Sequence, residues 1–287
     1  MALLEELAKK ETLNIDFHNH GQTGNEFRKK QNGLYNRIKY LFLSEGFEDL
    51  SGLLERVAGS DLDVLYLTDT VDSHKDNQRF LNWTGEEQIQ KAIKDGWEIE
   101  TGNYYVFAAK GKGENRKVIA LGHSKEFKSK EMHFIAAGVK RDSKYEFSKK
   151  FSLDEALKKL TDGELACGEK YHENLESVQV DGNFYLPFSA RSWKAKRAGK
   201  KKGIPVLYNK DGHHPKDIGK MYNFFNSKDL NYSSEKAFRN SINNAVRNKQ
   251  FEYHYSPVPP WRIFHQVMMM FFNKIFGMYK QPPQQTI

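Results

Sequence analysis

The length and composition of this chain indicate a folded protein with a sizeable core. Its 287 residues are 38% hydrophobic and 29% charged, which excludes a disordered chain and allows one large α/β domain or two smaller ones. A net charge of +8 favours an anionic substrate or partner. The single cysteine, Cys167, excludes an internal disulfide framework. Without a secretory signal or a membrane-length apolar run, we expect a cytoplasmic protein with no transmembrane segment.

The first informative segment is residues 14–21, where apolar and polar side chains alternate. This alternation predicts a short, half-buried strand. Side chains two residues apart on a strand share a face, so we expect Asp16, His18 and His20 to point the same way. Two imidazoles at the end of a strand would form a pair of metal ligands. The alternative is a pair of histidines satisfied by hydrogen bonds at a strand edge.

Two further segments bring carboxylates to strands. Residues 62–69 form a nearly continuous apolar run that ends in Asp69, which is typical of a strand covered on both faces in a parallel sheet. Residues 84–87, Thr-Gly-Glu-Glu, resemble a capping box and predict the start of a helix. Residues 96–100 follow that helix and place Glu98 at or beside another strand.

The middle of the chain contains more strand patterns. Ser152 is predicted to cap a helix that runs to about residue 160, and Glu169 follows the last of the strands in this part of the chain. The strands are predicted at residues 104–109, 118–121, 133–138 and 165–167.

Residues 191–202 contain seven basic residues in twelve. We favour a solvated helix face over a nucleic-acid contact for this run. Residues 203–208 predict a strand, and the loop after it contains Asp211 and His213.

The C-terminal part predicts a helix at residues 234–248 and, after a proline-rich break, a segment from Ile263 to Tyr279 that is apolar nearly all round. His265 and Lys274 make this segment a poor membrane span. A buried helix or a homo-oligomer contact is the favoured interpretation, and an interfacial membrane helix is the third.

Strands that alternate with helices predict an α/β fold with a largely parallel sheet. In such folds reactive groups gather at the carboxyl ends of the strands. Five strand ends here carry acids or histidines, and they would converge on one mouth if the strands close into a barrel. These residues are His18 and His20, Asp69, Glu98, Glu169, and Asp211 with His213.

Several of these segments resemble motifs of the PHP family (polymerase and histidinol phosphatase domain). Residues 16–20, Asp-Phe-His-Asn-His, resemble its first motif, Asp-x-His-x-His. Residues 62–70 look like the second, a buried strand that ends in Thr-Asp-His, and residues 96–98 are similar to the segment whose glutamate bridges metals. Residues 203–206 with the following Asp-Gly-His resemble the last motif, in which Asp-x-His closes the site.

The resemblance implies a distorted (βα)7 TIM-like barrel over residues 12–250. The sequence itself predicts a C-terminal apolar helix and tail over residues 251–287. The resemblance also implies divalent metal ions (Mn, Zn, Fe or Mg) at the barrel mouth, bound by His18, His20, Asp69, Glu98, Asp211 and His213. Asp69, Glu98 and Asp211 would be the catalytic residues among these ligands. The implied function is a metal-dependent phosphoesterase that hydrolyses a nucleotide, a nucleic-acid end or a small phosphomonoester with a metal-activated water.

The sequence also departs from the family pattern. Thr70 stands where the second motif has a histidine, and His74 could fold back to replace it. Glu169 stands where the family has a His-Pro, either as a substitute metal ligand with a preference for Mn²⁺ or Mg²⁺ or as the mark of a decayed site. His172 could serve in its place. Residues 184–189 should carry another site residue, and none is found there.

Three functions therefore compete. We favour the phosphoesterase, because both ends of the family pattern are retained. The alternative is a catalytically depleted PHP-like protein that binds nucleic acid or a protein partner, as the two departures suggest. A metal-dependent amidohydrolase on a similar barrel would use the same ligands with a different leaving group.

Overall fold

The computed structural model describes residues 2–20, 49–72, 75–76, 79–129, 132–143, 145, 152–161, 163–169, 173–181, 190–210, 212 and 217–256. These residues form a mixed α/β structure. The helices are α1 (Ala2–Leu7), α2 (Leu50–Ala58), α3 (Arg79–Trp83), α4 (Glu86–Lys94), α5 (Leu153–Lys159), α6 (Ala190–Lys202) and α7 (Glu235–Arg247). The strands are β1 (Thr12–Asn19), β2 (Val64–Asp72), β3 (Lys75–Asp76), β4 (Glu98–Thr101), β5 (Tyr105–Lys110), β6 (Lys117–Lys128), β7 (His133–Ala137), β8 (Leu165–Gly168), β9 (Ser177–Asp181), β10 (Val206–Asn209), β11 (Met221–Asn226) and β12 (Glu252–Tyr255).

The strands of the described ranges belong to one sheet that curves into a nearly closed barrel. The order along the curve is β10-β9-β8-β7-β6-β2-β1-β11-β12, with β3 beside β2 and the hairpin β4–β5 beside β6. β1, β2 and β6 run parallel to one another, and so do β8, β9 and β10. β7 runs antiparallel to both of its neighbours, β6 and β8.

The curved sheet approaches closure where the ends of β1 and β10 meet. Asn19 forms an isolated parallel bridge with Gly212, and the backbone N of His20 donates to the Gly212 carbonyl at 2.9 Å. The carboxamide of Asn209, the last residue of β10, accepts from the backbone N of Phe17 at 3.0 Å. These contacts place the carboxyl ends of β1, β2, β6 and β10 along one rim.

The predicted α/β class and the barrel-like closure are both present. The strand directions differ from a uniform βα repeat, because β7 is antiparallel and the sheet also carries the hairpins β4–β5 and β11–β12. The segments predicted as strands at 104–109 and 118–121 are paired, as expected, through β5 and β6.

Two of the three apolar clusters of the described residues lie on opposite faces of β2, β5 and β6. The apolar core inside the barrel gathers side chains of β1, β2 and β5–β8 with α1 and α7, including Phe17, Tyr66 and Phe238. The other cluster packs α2 and α4 against the outer face of β2, β5 and β6, including Leu65 and Leu67. Alternate residues of β2 therefore serve different cores, which is the reason for its nearly continuous apolar run.

Gly122 of β6 is required by a close approach inside the barrel. A Cβ at this position would lie 2.6 Å from a ring carbon of Tyr66. Tyr66 and Tyr105 share a hydrogen bond of 2.6 Å between their hydroxyl groups, and burial raises the pKa of both phenols. A side chain at position 122 would displace this pair.

Helix capping follows the sequence at two places and differs at a third. The hydroxyl of Ser152 accepts from the backbone N of Glu155, as a capping residue should. Ser234 caps α7 in the same way, through the backbone N of Ala237. The predicted capping box at residues 84–87 is wrong: α4 has Gly85 as its N-cap without a side-chain bond. The hydroxyl of Thr84 instead donates to the Phe80 carbonyl at 2.7 Å, at the end of α3.

The chain divides into a compact unit, Met1–Tyr255, and a second unit, Ser256–Ile287. The predicted homo-oligomer contact from Ile263 to Tyr279 lies outside the described residues. None of the described helices combines the length and the apolar character needed to cross a membrane.

Candidate metal centre

Two histidines enter the barrel because β1 contains a bulge. Asp16 and Asn19 are three residues apart, but their partners in β2 are only two residues apart, so β1 holds one extra residue between them. The extra residue reverses the alternation. His18 and His20 consequently lie on the inner face and Asp16 on the other, which corrects the predicted shared face. Asp16 Oδ1 accepts from the backbone N of His18 at 3.1 Å and supports the bulge.

The two imidazoles meet a carboxylate from β6. His18 Nε2 lies 3.1 Å from His20 Nε2, and His20 Nε2 lies 3.6 Å from Glu126 Oε2. One donor atom from each of the three residues lies within 4.8 Å of the other two, and all three side chains are buried. We call His18, His20 and Glu126 the inner cluster.

Neighbouring strands hold each member of the inner cluster. The Nδ1 atom of His20 lies 3.2 Å from the Thr68 carbonyl oxygen, a contact that directs its Nε2 toward the other two residues. Glu126 Oε2 accepts from the hydroxyl of Thr70 at 3.1 Å, and its Oε1 lies 3.1 Å from His133 Nδ1. Both oxygens of the carboxylate are thus held in position by groups on the flanking strands.

His18 is held differently from His20. The Gln179 carboxamide of β9 donates from Nε2 to His18 Nδ1, and Gln179 Oε1 lies 3.7 Å from the thiol of Cys167. A donor at Nδ1 places the proton of a neutral ring on Nε2, the atom that faces His20. A metal-ligating histidine instead donates from its second nitrogen to an acceptor. Metal binding through His18 Nε2 therefore requires Gln179 to present Oε1 to this ring.

The inner cluster fits a divalent cation. An ion with metal–nitrogen bonds of about 2.0–2.1 Å holds two ligand nitrogens about 3.3 Å apart at a tetrahedral angle, close to the 3.1 Å between the two Nε2 atoms. Two imidazoles and one carboxylate are a known donor set for Zn²⁺ and also suit Mn²⁺ and Fe²⁺. The second nitrogen of His20 and the second oxygen of Glu126 both have partners, as ligands in metal sites usually do.

Asp69, one of the expected ligands, lies on the other face of β2. Its Oδ1 accepts from the backbone N of Phe80 at 3.0 Å, and its Oδ2 lies 3.0 Å from His123 Nε2. His123 Nδ1 faces the Lys140 carbonyl at 2.9 Å, and the Phe80 ring stacks on the imidazole with 4.6 Å between centroids. We call Asp69 and His123 the outer pair.

Glu98 and Glu169, two further expected ligands, are not part of the inner cluster. Glu98 begins the edge strand β4. Its side chain is 65% exposed, and its Oε2 lies 2.6 Å from Arg116 Nη2. Hydrogen bonds from Arg116 lower the pKa of Glu98. Glu169 is buried after β8, and its backbone N donates to the His133 carbonyl at 3.1 Å.

The remaining expected ligands and their possible substitutes belong to parts of the chain that the structure does not describe. Asp211, His213, His74 and His172 lie outside the described residues, and so do residues 184–189. Their assignment as metal ligands or substitutes stays a prediction.

Glu126 was not among the metal ligands predicted from the sequence. Polar side chains on both faces of β6 follow Leu121, so the apolar pattern stops well before the strand ends at Lys128. The sequence feature that could have indicated a site here is the short spacing between His123 and Glu126. This spacing is too common to identify a metal site by itself. An odd spacing puts the two residues on opposite faces of a strand, and only the pairing with β2 decides which of them points into the barrel.

Comparison with known proteins adds little to this geometry. No protein-family model matches the sequence, and no curated protein matches it. Among solved structures, the crystal structure of PsfC from Pseudomonas syringae PB-5123 is similar with a TM-score of 0.48 and 11% sequence identity, over 93% of this chain and 100% of that chain. A likeness at this level supports no conclusion about activity or ligands.

Proposed function

We propose that this protein is a metal-dependent phosphoesterase whose metal centre is built on His18, His20 and Glu126. One observation carries the proposal: three buried donors of the kind that bind Zn²⁺, Mn²⁺ or Fe²⁺ converge within 4.8 Å. They lie at the carboxyl ends of the parallel strands β1 and β6, where α/β proteins place their reactive groups. The substrate would be a phosphate ester such as a nucleotide, a nucleic-acid end or a small phosphomonoester.

The proposal includes a fold relationship. We infer that the barrel is a diverged form of the distorted (βα)7 plan of the PHP family, with β7 reversed and two hairpins added to the sheet. The support is the position of Asp16-Phe17-His18-Asn19-His20 at the rim end of the first barrel strand. The net charge of +8 adds support for an anionic substrate.

The residues of the centre have separate roles in this proposal. His18, His20 and Glu126 would hold the cation, while Thr70 and His133 fix the carboxylate and Thr68 fixes the His20 ring. A bound divalent cation supplies positive charge against the phosphoryl oxygens and makes a water molecule more acidic. His133 is 35% exposed, so its ring also connects the carboxylate of Glu126 to solvent.

A second function is favoured by a specific observation. Two residues expected to be catalytic are engaged elsewhere, Asp69 with His123 and Glu98 with Arg116. This arrangement favours the alternative of a catalytically depleted PHP-like protein in which the inner cluster binds a structural metal ion. Both alternatives predict a bound metal ion, but only the phosphoesterase predicts hydrolysis of a substrate.

The test combines metal analysis with hydrolysis of a generic phosphomonoester by the purified protein. Glu126→Gln removes the carboxylate of the inner cluster at nearly constant volume, and Glu98→Gln is the matched control on the exposed edge strand. We expect the wild type and Glu98→Gln to bind metal and to hydrolyse the ester, and Glu126→Gln to lose both properties.

Each other outcome has a definite meaning. Metal binding that depends on Glu126, without hydrolysis of phosphomonoesters or phosphodiesters, would replace the enzyme with the structural-metal alternative. Metal binding and turnover that depend on Glu98 and not on Glu126 would restore the sequence-based ligand assignment. Absence of metal at micromolar concentrations of Zn²⁺, Mn²⁺ and Fe²⁺ would end both proposals.

A further inference from the structure

The helix α6 carries a concentration of positive charge. Its thirteen residues, Ala190–Lys202, include seven basic residues and no acidic one. Ala195 and Gly199 face the sheet, because a Cβ at Gly199 would lie 2.7 Å from Val178 of β9. The exposed side of the helix therefore presents Lys194, Arg197, Lys200 and Lys201.

These cations lack acidic partners in the part of the chain that the structure describes. Lys202 pairs with Glu173 at 3.6 Å, but no ion pair is formed by Lys194, Lys196, Arg197, Lys200 or Lys201 with any described residue. The opposite situation holds at Arg116, which binds the carboxylates of both Glu6 and Glu98. What distinguishes α6 is the number of such cations that one helix carries, with no acidic residue among them.

A large aromatic side chain stands exposed among these cations. Trp193 is 57% exposed, and the guanidinium carbon of Arg197 lies 5.4 Å from the centre of its ring. The two residues are one helical turn apart, so the guanidinium holds the indole against the helix surface. An exposed indole beside cations without acidic partners among the described residues fits a ligand that is both anionic and able to stack.

A second aromatic group extends the surface toward β12. Lys196 Nζ lies 5.1 Å from the centre of the Tyr208 ring, and Tyr208 stacks on Tyr253 at an angle of 11°. Tyr253 is 48% exposed and Tyr255, two residues on along the same face of the strand, is 53% exposed. Trp193, Tyr253 and Tyr255 with the cations of α6 form what we call the basic-aromatic surface.

We propose that the basic-aromatic surface binds single-stranded nucleic acid, in place of the solvated helix face that the sequence alone favoured for residues 191–202. Unpaired lysine and arginine side chains neutralise phosphates, and exposed aromatic faces stack on bases that are not paired in a duplex. The exposed cations recur along a helix about 20 Å long, which matches a strand of several nucleotides. This activity is separate from the metal centre and stands whether or not that centre is catalytic.

A membrane surface fits the same residues less well. A helix that lies in a membrane interface needs a continuous apolar face, with several large apolar side chains. The exposed side of α6 offers only Trp193 among its described residues, and Ala195 and Gly199 are occupied by packing on the sheet. The surface is therefore assigned to nucleic acid, and binding to anionic vesicles is an outcome of the test.

The experiment measures anisotropy of a labelled oligothymidylate of about twelve nucleotides, within the roughly 4–16 nucleotides that single-strand binding modules cover. Wild-type affinity is expected to fall steeply across a salt series. The triple variant Lys194→Glu, Arg197→Glu, Lys200→Glu should reduce the slope of log K against log salt by about 2, since each single-strand phosphate contact contributes about 0.7. Trp193→Leu should weaken binding about tenfold or more through lost stacking.

A matched control variant distinguishes binding at this surface from a general effect of the net charge. The triple variant Lys94→Glu, Lys112→Glu, Lys236→Glu changes the net charge by the same amount at exposed positions outside α6, and it should bind like the wild type. If the test triple does not fold, as judged by circular dichroism, the single variants Lys194→Glu and Trp193→Leu decide the question.

Three results would overturn the proposal. They are the absence of oligothymidylate binding at low salt, an equal loss of binding in the two triple variants, and binding to vesicles of phosphatidylcholine with phosphatidylglycerol in the absence of oligonucleotide binding. Quenching of tryptophan fluorescence by unlabelled oligothymidylate in the wild type, abolished in Trp193→Leu, would support direct stacking on this residue.

Discussion

Two clusters of carboxylate and imidazole groups lie on opposite faces of the same sheet, and only one of them is arranged to hold a metal ion. The inner cluster uses Glu126 of β6 with two histidines of β1, while the outer pair joins Asp69 of β2 to His123 of β6. Both groups are buried. Both groups combine a carboxylate with imidazole. Their capacity to bind a metal ion differs because their ring nitrogens have different partners.

In the outer pair, hydrogen bonds occupy both ring nitrogens. His123 directs Nε2 to Asp69 and Nδ1 to the Lys140 carbonyl, and the second oxygen of Asp69 accepts from Phe80. No ring nitrogen is left for a cation. This pair fastens α3 and the segment after β7 to the sheet.

In the inner cluster, two ring nitrogens face each other at 3.1 Å. Such a pair can share one proton or bind one cation, and the nearby carboxylate of Glu126 favours positive charge between them. The comparison shows that adjacency of an acid and a histidine does not identify a metal site. A metal site is identified by side-chain nitrogen and oxygen atoms that point toward one common position.

The largest expected effect concerns the stability of the outer pair. Asp69→Ala removes one partner of a buried, hydrogen-bonded pair, which should lower the free energy of unfolding by about 3–5 kcal/mol. Urea unfolding measures this change. Glu98→Gln, at an exposed ion pair, should leave the midpoint nearly unchanged. A small effect of Asp69→Ala, with metal binding lost, would show that Asp69 serves the metal and not the fold.

The next effect concerns stabilisation by metal. Zn²⁺ or Mn²⁺ at about one hundred times its dissociation constant should stabilise the wild type by about 2.7 kcal/mol, because only the folded state presents the inner cluster. Glu126→Gln should lose this gain, measured as the rise in Tm on adding the ion. The outer-pair variant Asp69→Asn should keep the rise, even if its Tm without metal is lower. Loss in both variants would contradict the separation of the two groups.

The smallest effect tests the orientation of His18. Gln179→Glu provides an acceptor for the Nδ1 proton and should tighten metal binding about tenfold, whereas Gln179→Leu should weaken it by a similar factor. Competition with a chelating indicator measures both affinities. The buried glutamate should also lower the stability of the metal-free protein, so a gain in stability without metal would argue against this role.

The local elements of the fold could be predicted from the sequence with useful accuracy. The apolar run at residues 62–69 corresponds to β2, Val64–Asp72, and the helix expected at residues 234–248 is α7, Glu235–Arg247. These signals are local, because periodicity and capping depend on residues within a few positions of one another. β9 and β11 were not predicted, since the buried Gln179 and Asn223 interrupt their apolar patterns while bonding to other strands.

The sequence by itself determined that two imidazoles stand at the end of a strand and that the chain alternates strands with helices. The tertiary structure alone decided which carboxylate joins those imidazoles. Pairing between β2 and β6 sets Glu126 opposite Thr70, 56 residues away, on the inner face, and turns Asp69 outward. The bulge in β1 turns His18 and His20 inward. A one-residue change in register exchanges the two faces of a strand, and local patterns carry no record of register between distant segments.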